Sequence, residues 1–300
     1  MKNRPSKIKD SFGDKAFNVF CYATVVLVCL IFIYPLWLVL IYSVSSPDAV
    51  NAGKVWLWPV GPTLDAYKEV FSRNDLMKGY WNTITQTAFG TAVNMLLTIP
   101  AAYALSKRSL KGRGLFMGLI VVTMYFSGGL IPNYINLKNL HLLNTWWVFG
   151  LVGAVSAYNL IIARTFFANG VPHELEEAAE IDGCSPAGVF FKIVLPLSKA
   201  MLGVIMLYYL VGHWNNFSTA LYYTPQSTDY WPLQMVIRDL LRTLNKLVDT
   251  GSEDALLYYT RIYDMIKYAV VVVAAAPVLA IYPFLQKYFN KGVMLGSVKG

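Results

Sequence analysis

Six apolar stretches dominate this chain: residues 17–45, 80–106, 115–132, 146–168, 197–221 and 262–288. Crossing the ~30 Å hydrocarbon core of a bilayer takes about 20 predominantly apolar residues. In that solvent every backbone N–H and C=O must be paired within the protein, which leaves helices or closed barrels. The runs are continuous rather than alternating, so helices are expected. The fold class that follows is all-α, a polytopic membrane protein with six transmembrane helices. Charged residues are 14% of the chain, against about 25% in soluble domains.

Orientation follows from the basic residues, which concentrate in cytoplasmic segments. Lys2, Arg4, Lys7, Lys9 and Lys15 precede the first run, and Lys107, Arg108, Lys111 and Arg113 fill the turn between the second and third. With the N-terminus inside, the inner segments are both shorter and more basic than the outer ones. Both termini are therefore expected in the cytoplasm, with residues 1–16 a cytoplasmic segment, 17–288 one membrane domain and 289–300 a short cytoplasmic tail. The first run is too long for a signal-peptide core and has no A-x-A site, so it reads as an uncleaved span. The net charge of +8 is accounted for by these loops without nucleic acid. Cys21, Cys29 and Cys184 have neither metal-site spacing nor an evident disulfide partner.

The fourth and fifth spans are joined by a polar, acidic inner loop, residues 172–196. Pro172 suits the first helical position, and Glu174, Glu176 and Glu177 crowd the first turns, where the helix dipole favours negative charge. Leu175, Ala178, Ala179 and Asp182 fall at i, i+3, i+4 and i+7, giving a narrow small-residue stripe. Gly183 is placed to end the helix in a left-handed conformation, and Ser185-Pro186 restarts another as N-cap and N1. A short helix with an alanine face between two spans has the shape of a knob for another protein's socket. No G-x-x-x-x-G-K-[ST] loop occurs, so ATP hydrolysis in the P-loop manner belongs to another subunit. The chain itself is expected to be no enzyme, with no metal or cofactor of its own.

Two spans are unusually polar. The second holds Asn82, Thr83, Thr85, Gln86, Thr87 and Asn94, which suggests helix contacts or a wet cavity. In the outer half of the fifth, Tyr208, Tyr209, His213, Trp214, Asn215, Asn216 and Ser218 cluster. Aromatic faces with amides and hydroxyls suit a sugar, so these seven are the candidate substrate path. Interhelical hydrogen bonds are the competing reading. A His213–Ser218 hydrolase is disfavoured because five residues place the two about 140° apart on one helix. An ion-coupled secondary transporter lacks the expected carboxylates at the centres of the spans. Asp264 and Lys267 sit near the outer entrance of the sixth span at pairing distance along a helix. An outer amphipathic helix is expected over 232–247.

Glu177-Ala178-Ala179, then Gly183 and, after nine residues, Ile193-Val194-Leu195-Pro196 resembles the EAA loop of bacterial ABC importer permeases. Met124 to Pro132 (MYFSGGLIP), NLIIARTFF at Asn159, Trp214-Asn215, YWPLQ at Tyr230 and the ending KGVMLGSVKG are similar to carbohydrate-uptake permeases, the maltose-type second permease and the polysaccharide type. Cys184 departs from the alanine many relatives have. The resemblance implies a type I importer permease in a bacterial cell (inner) membrane. It implies a homologous second permease, two ABC ATPase subunits holding ATP and Mg, and an extracytoplasmic solute-binding protein delivering an oligosaccharide. It assigns ATPase coupling to Glu177, Ala178, Ala179, Asp182, Gly183, Ile193, Leu195 and Pro196. A permease for a non-sugar solute is the alternative.

Overall fold

The computed structural model describes residues 11–250, 257, 260, 263, 264, 266–280 and 283. The expected segment 1–10, the tail 289–300 and the rest of the sixth span lie outside the described residues. The chain divides into two compact units, Met1–Val70 with Gly251–Val273, and Phe71–Thr250 with Ala274–Gly300.

In the first unit, α1 (Phe12–Ser43) begins with a capping box in which Ser11 accepts the Gly13 N–H and Asp14 accepts the Ser11 N–H. Pro35 lies inside α1 without ending it. Val25, Leu30, Ile31 and Phe32 are exposed along it, an apolar surface suited to lipid or another membrane helix. Two short helices follow, α2 (Pro47–Asn51) and α3 (Asp65–Ser72). Thr63, two residues before α3, accepts the Asp65 N–H at 3.1 Å. Asp264 accepts from Lys267 at 2.7 Å, one helical turn away, and from Asn51 at 2.8 Å.

The second unit is built on α4 (Asn74–Ser106), 33 residues with Pro100 inside and so about 50 Å long. Around it come α5 (Arg113–Tyr125), α6 (Leu130–Asn139), α7 (Val148–Leu151), α8 (Ala157–Gly170), α9 (His173–Ile181), α10 (Pro186–Val189), a π-helical turn over Phe190–Val194, α11 (Leu195–Leu197), α12 (Lys199–Trp214), α13 (Ser218–Tyr223) and α14 (Leu233–Thr250). The apolar helix α15 (Ile266–Ala280) runs across both units in sequence. Helix α4 packs on α7, α8, α12 and α14. At its inner end Ile99, Ala102, Leu160, Ala163, Val194 and Ile205 form the core with α8 and α12.

Expected spans three, four and five are each made of two helices rather than one. Helices α5 and α6 meet at 115° across residues 126–129, and the fifth span passes from α12 to α13 across residues 215–217, after the inner segment Pro186–Leu197 has met α12 at 82°. The fourth span breaks between α7 and α8, where Gly153 takes a left-handed φ of +69°. Among the described residues, α1 and α4 are long and apolar enough to cross a membrane unbroken, and up to four spans result if each bent pair counts as one.

Polar side chains of α4 pair backbone groups in the connections between the surrounding helices. Lys78, Asn82 and Gln86 recur every fourth residue on one stripe. Lys78 meets the Asp229 carboxylate at 2.5 Å, Asn82 donates to the carbonyls of Asp229 and Trp231, and Gln86 donates to Tyr230 at 2.7 Å. Thr83 accepts the Leu233 N–H at 2.8 Å, fixing the start of α14. Deeper, Asn94 donates to the Ala154 carbonyl at 2.7 Å in the α7–α8 break. The Thr98 hydroxyl lies 2.7 Å from the Tyr209 hydroxyl, which accepts the Ser156 N–H at 3.1 Å. The polar face of the second span therefore makes contacts to other elements of the protein.

Asn94→Leu leaves the Ala154 carbonyl unpaired and is expected to cost about 1–3 kcal/mol. Thermal unfolding in detergent checks this. Thr85→Val, whose hydroxyl bonds only carbonyls of its own helix, is expected to leave the midpoint nearly unchanged.

Candidate functional site

Helix α9 has two unlike sides. Glu176 and Ala179, three residues apart, are buried, whereas Leu175, Glu177, Ala178 and Ile181 are exposed, Ile181 to 86%. The expected alanine stripe is thus divided. Successive residues lie about 100° apart on a helix, and Ala179 turns into the core beside Val189 and Phe190 while Ala178 stays outside.

Both ends of α9 are set locally. Pro172 is the N-cap rather than N1, with ψ at 127°, because the proline ring fixes φ and leaves ψ free to be extended. Gly183 closes the helix at φ +79° as expected, with open space where a Cβ would stand. Ser185 then caps α10, accepting the Gly188 N–H at 3.2 Å, with Pro186 at N1. The chain returns to the core through the π-helical turn, which no sequence signal foretold. There Ile193 and Leu195 pack against the inner core, and Pro196 is exposed in α11. Glu177, Ala178, Asp182 and Gly183 share the exposed knob; the Ile193-to-Pro196 stretch belongs to its root.

An ion pair that sequence reading missed anchors the knob. Lys107, the C-cap of α4, bonds the Glu176 carboxylate, and His173 Nδ1 stands 3.8 Å from the same group. Lys107 also lies 4.4 Å over the Tyr103 ring, which packs on Phe190 at 4.9 Å and on Phe167 at 5.7 Å. Burial works against the Lys107 ammonium, but the Glu176 carboxylate and Tyr103 more than offset it, so its pKa rises above the ordinary lysine value.

A cavity of about 700 Å³ opens between α4 and α12, lined by Thr87, Ala88, Thr91, Met95, Met206 and Trp214 among others. The surface it exposes is almost wholly apolar. The hydroxyls of Thr87 and Thr91 are buried and have no hydrogen-bond partner among the described residues.

The seven expected path residues do not gather at one place. Trp214 lines the cavity, with its indole N–H donating to the Ala274 carbonyl at 2.9 Å. Tyr209 is buried in the Thr98–Ser156 contact, and His213 Nε2 lies 2.5 Å from Asn94 Oδ1. Gly90 makes room for that imidazole, since a Cβ there would fall 2.6 Å from Nε2. Asn215 bonds the Val211 carbonyl and Asn216 caps α13 through Thr219. Tyr208 and Ser218 are exposed. Tyr209 and His213 thus take the interhelical role. The cavity draws instead on Thr87 and Thr91, whose polarity was visible in the sequence but whose facing residues were not.

Residues 9–295 match the family described as binding-protein-dependent transport system inner membrane component. The chain is 44% identical over 268 residues to protein LplC of Bacillus subtilis (strain 168), covering 89% of this chain and 90% of that one. It is 41% identical over 291 residues to the polygalacturonan/rhamnogalacturonan transport system permease protein YtcP of the same organism, covering 96% and 99%. A chain in the crystal structure of a bacterial ABC transporter involved in import of the acidic polysaccharide alginate superposes with a TM-score of 0.84 at 31% identity. That match covers 94% of this chain and all of the other.

Because Gly183 has open space around it, only its left-handed backbone resists replacement. Gly183→Val is expected to strain the loop by about 1–2 kcal/mol and to lower uptake without preventing membrane insertion. Gly183→Asn, which tolerates that conformation, is expected to keep uptake near the parent level; whole-cell uptake and membrane fractionation read both.

Proposed function

Since the chain belongs to the family of binding-protein-dependent transport system inner membrane components, we propose that it is the membrane-spanning subunit of an ABC importer for an oligosaccharide. The observation that carries this reading is the two-sided α9. Its inner side is bound into the core of the chain, and its outer side presents Leu175, Ala178 and Ile181 ringed by Glu174, Glu177 and Asp182. Exposed apolar side chains with an acidic rim fit a cleft that has an apolar floor and basic edges. The partner so described is a cytoplasmic ATPase subunit, which would hold ATP and Mg, with α9 and both termini on the cytoplasmic side.

The rest of the assembly follows from the same reading. A homologous second permease covers exposed apolar surface such as that of α1, and an extracytoplasmic solute-binding protein delivers the cargo. An oligosaccharide is supported by the named cargo of YtcP and of the alginate transporter. The path runs past Trp214, Thr87 and Thr91. There an aromatic ring offers stacking for a sugar's C–H face. Nucleotide binding on the partner changes the position of α9, and alternating access is the resulting shift of population between two states of the spans.

Ile181→Lys places a cation where an apolar contact is expected. A loss of about 2 kcal/mol in docking, roughly thirtyfold in affinity, should appear as failure of the ATPase subunit to co-purify with the full chain in mild detergent. Co-purification at the parent level would refute the docking role of α9. Ala88→Trp fills the cavity and is expected to cut oligosaccharide uptake at least about tenfold while the ATPase subunit still co-purifies. Uptake at the parent level would remove the cavity from the path.

A further inference from the structure

Glu176 differs from the other acids of α9. Glu174, Glu177 and Glu180 are exposed and serve the helix dipole from water, whereas Glu176 is 7% exposed and bonds Lys107. A partly buried ion pair is a poor way to gain stability, because desolvation consumes most of the attraction and an apolar pair of similar size often does as well. What such a pair supplies is direction. The Ala179 contact is apolar and tolerates sliding, while a lysine bonded to a buried carboxylate resists separation.

Its position gives that stiffness a use. Lys107 directly follows the last residue of α4, and its stem lies on the Tyr103 ring, which is wedged between Phe167 of α8 and Phe190 of the π-helical turn. The cavity lining on α4, Thr87 to Met95, lies about 18–30 Å up the same helix at 1.5 Å per residue. Helix α4 is continuous between them through Pro100, so a displacement of its inner end is carried along one element to its middle.

We propose that the Lys107–Glu176 pair is the tether through which movement of α9 reaches α4 and the cavity, so that both are positioning residues for transport. This rests on the reading of α9 as the docking helix. The groups facing the pair are His173 from α9 itself and the Tyr103 ring from α4.

The test uses the complete transporter in liposomes, with Cys21, Cys29 and Cys184 replaced by serine and one cysteine placed at Ala88, an exposed residue of the cavity wall. The rate of maleimide labelling is measured with and without ATP plus vanadate, beside ATP hydrolysis. In the parent, nucleotide is expected to change labelling about fivefold or more, the lower end of usual coupling. Lys107→Met and Glu176→Gln are expected to abolish that change while the ATPase subunit stays bound and hydrolysis persists. Lys107→Arg, and the exchange Lys107→Glu with Glu176→Lys, are expected to restore it. Nucleotide dependence that survives in both neutral variants overturns the tether, as does loss of labelling response and of assembly together with no restoration by the exchange. A parent that binds no ATPase subunit overturns the docking reading itself, a result separable from the other two.

Discussion

The architecture depends on one constraint: wherever a helix breaks at membrane depth, its freed N–H and C=O groups must find partners inside the protein. Each such group left unpaired in hydrocarbon costs several kcal/mol. Three expected spans are broken, and α4 supplies partners in one of those breaks and in the connection before α14. Asn94 reaches the carbonyl of Ala154 in the break between α7 and α8, while Asn82 and Gln86 hold the carbonyls of 229–231 before α14. Each bond is worth about 0.6–1 kcal/mol when measured by deletion, but together they decide where the surrounding pieces sit. Helix α4 acts as a ruler against which those pieces are registered.

The same helix joins the two ends of the proposed mechanism. At its inner end Lys107 bonds Glu176 of α9, and at its middle Thr87, Ala88 and Thr91 form a wall of the cavity. Two more residues of the α4–α12 contact, His213 and Tyr209, lock their helix to α4 through Asn94 and Thr98. Motion of α9 is thereby resisted by bonds with fixed direction rather than absorbed by apolar contacts that slide. The division of α9 into an anchored side and an uncovered side serves the same end. A knob held firmly on one side can transmit a push received on the other.

Some of this was legible in local residues. The left-handed Gly183, the Ser185-Pro186 restart and the Asp264–Lys267 pair all depend on neighbours within about one turn, and all stand as their spacing implies. The 115° bend between α5 and α6 was not among them. The Val152-to-Ser156 break and the π-helical turn left no comparable mark. Tyr209 and His213 illustrate the harder case. An aromatic or imidazole side chain at membrane depth suits a solute or a neighbouring helix equally well, and the choice rests on residues more than a hundred positions away.

The amino-acid order was sufficient for what is decided by composition, period and short-range chemistry: helices rather than strands, their placement in a membrane, an acidic knob with a glycine stop, and the family to which the chain belongs. Tertiary structure alone decided which side of each helix faces what. Ala179 turns inward and Ala178 outward, Glu176 meets Lys107 from 69 positions away, and two threonine hydroxyls are buried beside a cavity without partners among the described residues. The physical reason is that pairing energies are spent where they are largest. In a membrane that place is the broken backbone, and no local pattern announces which distant side chain will reach it.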